Sequence, residues 1–441
     1  MRPRGSTRPS RAGSMLTWGL LGAALLAHAP HGYSSDRTPA VETFRQLQGA
    51  LVGDKERGDW GAFLDDAQRL KAFLNGAPTS GLEVARAQLQ LGHPEAALAE
   101  TKRFLGMGQL HDILGTPLFL PIRKALDKQV AGNRAPISLA KPAFPLLDPS
   151  LLPEDIDFDP TSKRFFVTSI VKRNIVSLDS AGHPRAFADS PDHWPMVAIK
   201  VDAKRRLLWA TEVALDGFAA VPPSDWGRSA LLEYDLDRGT LRSRHDGPPH
   251  ANLGDLTLAG NGDPIVSDGT GGGIYRLRGD ELRRIDHGDF VSPQTIAICP
   301  DGRRAYVPDY VRGVAAFDLE TGATRWLSMK DRYALDGIDG LYCRDGSLVA
   351  VQNGTSPERV VVFALDPSRT AIVAETVVER STSTLGVPTH GVFVGTTFHY
   401  IANSGWDALD ERGVARPARR LDPAVIMGVD GAAMSASSRG P

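Results

Sequence analysis

Residues 294–309 read QTIAICPDGRRAYVPD: a short alternating strand, a Pro-Asp-Gly turn and a second alternating strand. Side chains of period two joined by an Asp-Gly turn specify an antiparallel hairpin. The pattern recurs upstream as EDIDFDPTSKRFFVTS from Glu154, VAIKVDAKRRLLWATE from Val197 and GDLTLAGNGDPIVSDG from Gly254. It recurs downstream as DGLYCRDGSLVAVQN from Asp339 and HGVFVGTTFHYIANS from His390. The six starts are 43, 57, 40, 45 and 51 residues apart, and the second differs by opening on an apolar residue. Third strands follow in several units, among them LLEYDLDRG from Leu231 and VAAFDLETG from Val314. A hairpin-rich repeat of about 46 residues is the signature of a propeller blade. The expected fold is an all-β six-bladed propeller over residues 154–428.

Outward from the repeats, the chain changes character. Between residues 40 and 134 apolar side chains recur at three and four, as in Trp60, Phe63, Leu64, Ala67 and Leu70. This is an amphipathic helical pattern. The string LEVARAQLQLGHPEAALAETKRFLGMG, from Leu82, resembles a tetratricopeptide unit, and a peptide or protein partner is the expectation for such a segment. Residues 135–153 hold five prolines and little periodicity, which reads as a semi-rigid linker. Residues 429–441 are small and polar and read as a disordered tail. At the other end four arginines precede the apolar run MLTWGLLGAALLA, residues 15–27, which closes on Ala27-His28-Ala29. The expectation is a signal peptide over residues 1–29, a periplasmic or secreted location, and no membrane span once it is removed.

Composition narrows the function. The chain is 42% hydrophobic, with 50 Lys+Arg against 52 Asp+Glu. That balance excludes the clustered positive charge that nucleic-acid binding needs. Two cysteines cannot form a disulfide scaffold, and nothing has zinc-site spacing. Cys299 and Cys343 fall on inner strands of adjacent blades. Such strands diverge, so two buried free thiols are expected even though an exported location permits a disulfide.

In a propeller the first residue of each inner strand lies at one rim, and the second strand returns to that rim because the pair is antiparallel. Glu154, Val197, Gly254, Gln294, Asp339 and His390 are therefore collected around one axis. The second-strand ends add Glu212, Asp268, Asp309, Asn353 and Asn403. Crowded carboxylates call for a cation, and hard divalent ions such as Ca²⁺ take oxygen ligands. A small molecule at the channel mouth is the expected ligand, with Asp255, Asp268, Asp309, Asn353 and Asn403 as its binding residues. His390 and Asp339 are the catalytic candidates, each placed to take a proton from water.

The repeats resemble the senescence-marker protein / gluconolactonase / luciferin-regenerating-enzyme family, whose wider kin include paraoxonases. The resemblance spans roughly residues 150–428. It rests on Pro153-Glu154-Asp155-Ile156, on Ser292-Pro293-Gln294-Thr295-Ile296-Ala297 with Pro300-Asp301-Gly302, and on Leu335-Asp336-Gly337-Ile338-Asp339-Gly340. It implies a metal held by Glu154, Gln294 and Asp339, calcium first, with zinc or manganese as alternatives. Gln294 stands where the family has Asn, and Gly254 where it has a third-blade Asn; Asp255 or Asp268 is then the substitute. The implied activity is metal-dependent hydrolysis of small lactones or related esters. The alternative is a non-enzymatic binding, scaffold or sensor propeller with a vestigial site.

Overall fold

The computed structural model describes residues 37–302, 304–329, 333–344, 346–417 and 422–436. The expected signal peptide and residues 437–441 lie outside them. Helices come first: α1 (Pro39–Arg57), α2 (Trp60–Phe73), α3 (Pro78–Gln90) and α4 (Pro94–Gly106), then two short ones, Leu120–Arg123 and Asp127–Arg134. Thr38 caps α1 by accepting from the Val41 amide at 3.1 Å, and Pro39 takes the first turn, where its missing N–H costs nothing. Among the described residues no helix is long and apolar enough to cross a membrane.

The helices bury one stripe, with Phe44, Leu51, Phe63 and Leu70 packed together with Val291 of the propeller. Side-chain hydrogen bonds fix that docking. Thr38 Oγ1 donates to the Phe290 carbonyl at 2.6 Å and Asn75 Nδ2 to the Arg312 carbonyl at 2.9 Å. Both acceptors are on blade four, at the end of the propeller where second strands finish.

Six sheets follow, confirming six blades; the first four run inside to outside in chain order, and the last two add an outer strand from residues before blade one. Each sheet buries both faces, so its apolar residues alternate between two neighbours. In the strand Leu207–Val213 every residue is buried. Leu208 and Ala210 pack on blade one, whereas Leu207 and Trp209 pack on blade three. One apolar cluster of this kind fills each of the six gaps between blades, and the ring of clusters is the core.

The Pro-rich segment 135–153 is not a linker. Ile137–Ser138 adds a fifth strand to blade five, opposite Glu379 and Arg380. Lys141–Pro145 pairs antiparallel with Val425–Asp430 and becomes the outer strand of blade six. A strand paired on one side only can carry Pro142 and Pro145, whose missing N–H would break an interior strand. Residues from before blade one thus complete the last blade, closing the ring. The tail expectation is corrected as well: Val429 and Asp430 end the last strand, and Gly431–Ala436 is a short helix.

Cys299 and Cys343 form a disulfide with Cα atoms 4.9 Å apart, correcting the free-thiol expectation. The inner strands of blades four and five are still close at this depth; their divergence develops further outward.

Phe144 is the only buried side chain of its strand and packs against Phe165 across the closing gap, ring centroids 5.1 Å apart. Phe144→Ala is expected to cost about 3–5 kcal/mol in denaturant unfolding, as for a large core truncation. Lys141→Ala on the same strand should cost under about 0.5 kcal/mol, as exposed substitutions do; equal effects would remove the closing role of this strand.

Candidate functional site

The inner strands of four blades share a local irregularity. Register shifts fall at Pro153/Ile156, Met196/Ile199, Leu253/Asp255 and Ile338/Gly340. Each is a bulge beside the rim residue, and bulges turn a side chain out of the strand's alternation. All six expected rim residues line one cavity of about 180 Å³ on the axis.

Its floor is acidic. One ligating atom from each of Glu154, Asp339 and His390 lies within 4.8 Å of the others. Burial, with the charge of Asp339 beside it, pushes the Glu154 carboxyl up to about 8. Burial also pushes Asp339 up to about 6, with Asp255 adding to the rise. Both side chains are held. The indole N–H of Trp406 donates to Glu154 Oε2. Asn353 Nδ2 donates to Asp339 Oδ2 at 2.7 Å, while Tyr310 donates to Asn353 Oδ1 at 2.9 Å. Gly354 makes room for that tyrosine: a Cβ there would sit 2.6 Å from the ring.

His390 is in the cavity lining but is not arranged as a base. Its Nδ1 is 3.0 Å from the Glu154 carbonyl, which requires N–H there. Its Nε2 is 2.9 Å from Asp255 Oδ1 and 3.0 Å from Thr295 Oγ1. Thr295 itself donates to Asp255, so its remaining lone pair faces the ring. Burial opposes the imidazolium charge, yet Asp155, Asp339 and Asp255 together raise His390 well above its ordinary value. It is an internal cation tying blade six to blades one, three and four.

Of the other expected binding residues, Asn353 and Asp255 line the cavity, although Asp255 is committed to His390 and Thr295. Asp268, Asp309 and Asn403 do not line it. Asp268 Oδ1 accepts from the amides of Asn252, Thr270 and Gly271, and Asp309 from those of Val291, Ser292, Val311 and Arg312. Both are caps for the loops they precede. Asn403 bridges Pro423 and Val425. Glu212 likewise turns away, accepting from Ser190 Oγ at 2.5 Å.

Sequence reasoning missed Asn252, Tyr310 and Trp406. Asn252 lies two residues before the bulge at Gly254, with its Oδ1 3.9 Å from where a Gly254 Cβ would stand. It therefore brings an amide to the third-blade side of the cavity, where Gly254 supplies none and Asp268 is occupied. A Leu253–Asp255 bulge cannot be read from composition. Trp406 arrives from an excursion, residues 402–424, between the second and third strands of blade six.

The residues present fit a hard divalent cation. Glu154 and Asp339 each keep one oxygen uncommitted among the described hydrogen bonds, and Gln294 uses its amide nitrogen toward Ser292, leaving the amide oxygen. Two carboxylates driven toward protonation by burial and mutual charge lack the positive charge such an ion supplies.

No protein-family model matches the chain. No curated protein matches it either. Among solved structures, a gluconolactonase from Xanthomonas campestris shares 16% identity at a TM-score of 0.44, covering 67% of this chain and 100% of its own. Regucalcin from Agrobacterium tumefaciens, described as a calcium-binding protein, shares 18% at 0.44 over 67% of this chain and 95% of its own. A luciferin-regenerating enzyme shares 12% at 0.45 over 68% and 93%. These are likenesses of scaffold; the chemistry of the present cavity rests on its own residues.

Both carboxyls bind protons more tightly here than in an unfolded chain. Their contribution to stability is therefore present below about pH 4 and lost as pH rises through about 6 and then about 8. A divalent cation must displace those protons, so its stabilisation should grow over the same interval. At a hundredfold excess over its dissociation constant it contributes about 2.7 kcal/mol. Melting with calcium, zinc or manganese against chelator should show a larger gain at pH 8 than at pH 5, and Asp339→Asn should remove most of it. An equal gain at both pH values would place the ion elsewhere.

Proposed function

We propose that this protein hydrolyses small lactones or related esters at the axial cavity, with a divalent cation, calcium first, held by Glu154, Gln294 and Asp339. The observation that carries the reading is the pair of crowded carboxylates, Glu154 buried and Asp339 half-buried, at the floor of a cavity open to small molecules. When bound, the ion would supply Lewis-acid polarisation of the carbonyl and acidify water.

The chain's own residues supply the rest. Asp339 is held through Oδ2 by Asn353, which leaves its other oxygen to take a proton from water. A carboxyl pushed up to about 6 is a better base than an ordinary aspartate and is still ionised near neutral pH. Glu154 is oriented by the Trp406 indole. His390 keeps its positive charge and offsets the carboxylates around it instead of shuttling protons. Asn252 and Ser292 stand at the rim of the cavity as polar partners for the substrate. Export from the cytoplasm, as the N-terminal sequence implies, completes the proposal.

A lactone panel with calcium, zinc or manganese supplied should show turnover that rises with pH as Asp339 loses its proton, at a midpoint below about 6 because the cation favours the carboxylate. Asp339→Asn should lower kcat/KM by about 10²-fold or more, the usual worth of a positioned base. Equal background rates for both proteins with all three metals would leave a cavity that binds without turnover.

A further inference from the structure

The cavity is divided around the ring. Blades three, four and five present Asn252, Ser292, Gln294, Asp339 and Asn353. Blades six, one and two present Val387, Trp406, Ile170, Val197 and Leu215, with the hydroxyl of Thr389 as the one neutral polar side chain among them. Glu154 and His390 belong to the second arc, but each is turned to a partner: Glu154 to the Trp406 indole, His390 to Asp255.

The apolar arc is built into the fold. Ile170 and Val197 are one cluster with Val213, against which Leu215, Phe218 and Trp406 pack. Phe218 meets the Trp406 ring edge-on, centroids 6.3 Å apart. The two excursions that carry these rings are tied by the Ala219 amide donating to the Arg412 carbonyl at 2.8 Å. Val387 gives a second, independent sign. Its φ is +51°, a left-handed conformation that a β-branched residue adopts only under constraint. The constraint is visible: its N–H donates to the Glu358 carboxylate at 2.8 Å, and Ser404 Oγ donates to its carbonyl at 2.7 Å. Strain is maintained at the place where a valine faces the cavity.

We infer that the substrate is amphipathic: a lactone or ester whose carbonyl end meets the polar arc while a short alkyl or aryl substituent lies against Ile170, Val197, Leu215, Val387 and Trp406. The inference rests on the hydrolytic reading of the same cavity. A polyhydroxylated ring would turn several hydroxyls toward this arc, where Thr389 and Glu154 could meet only one or two and the rest would lose water without a partner. An alkyl chain gains with every methylene removed from water.

The test uses γ-butyrolactone, its γ-alkyl homologues up to hexyl, and a polyhydroxylated six-membered lactone. Calorimetry with the matching γ-alkyl lactams measures binding without reaction. Both kcat/KM and lactam affinity should rise about fourfold per methylene over the first few carbons. Leu215→Asn should flatten the rise. Val387→Gly should flatten it in part while keeping the melting temperature, because glycine adopts positive φ without strain. Preference for the polyhydroxylated lactone, or a flat series in both measurements, would overturn the inference and leave hydrolysis standing. Absence of turnover with lactam affinity still climbing would remove the hydrolytic reading and support the amphipathic cavity.

Discussion

Four carboxylates, Glu154, Asp155, Asp255 and Asp339, are gathered near one axis where little water reaches them, and two cations answer them from within the chain. Lys200 takes Asp155 at 2.8 Å, and His390 takes Asp255 at 2.9 Å. Burying charge is tolerable only when it is paired and hydrogen-bonded. The two pairs are therefore as structural as any apolar cluster. Glu154 and Asp339 at the cavity floor have no hydrogen-bonded cation of their own and share only the nearby charge of His390, so burial still raises both carboxyls. Chemistry becomes available there because the scaffold pairs the other two carboxylates fully and these only in part.

That arrangement presupposes a closed ring. His390 reaches blades one, three and four at once, which needs all six blades at fixed angles around the channel. Closure comes from the strand Lys141–Pro145, which completes blade six with residues that precede blade one. It also covers the edge of Val425–Asp430 with a strand whose own outer edge carries Pro142 and Pro145, which discourage pairing with another chain. The helical segment is fastened to the same end of the molecule. Buried Arg359 on blade five joins it by donating to the Met107 carbonyl at 3.3 Å. The helices and the cavity thus share a face, although among the described residues none of the N-terminal helical segment lines the cavity.

The loops divide labour by a simple rule. Where a loop turns tightly after its second strand, the terminal aspartate is used up on backbone amides, as Asp268 and Asp309 are. A residue one or two places further on, Thr270 or Tyr310, then reaches the cavity. Where a loop is long, as after Val213 and Ile401, it brings apolar bulk instead and builds the opposite wall.

The sequence by itself determined the propeller, the blade phase and the six rim positions. Period-two alternation and Asp-Gly turns are local signals, and antiparallel pairing returns every unit to the same rim. Glu154, Gln294, Asp339 and Asn353 were legible for that reason. Tertiary structure alone decided the rest. Proline argued against a strand at 141–145 until one-sided pairing at an outer edge made it harmless. Cys299 and Cys343 meet because inner strands are closest near the axis, a distance no spacing encodes. Asp268, Asp309 and Asn403 left the site because unpaired loop amides claimed their oxygens. His390 became a fixed cation instead of a base because three blades place an acceptor against its ring. Asn252 and Trp406 entered through a bulge and an excursion, where the side chain's direction follows from packing against other blades and not from its place in a repeat.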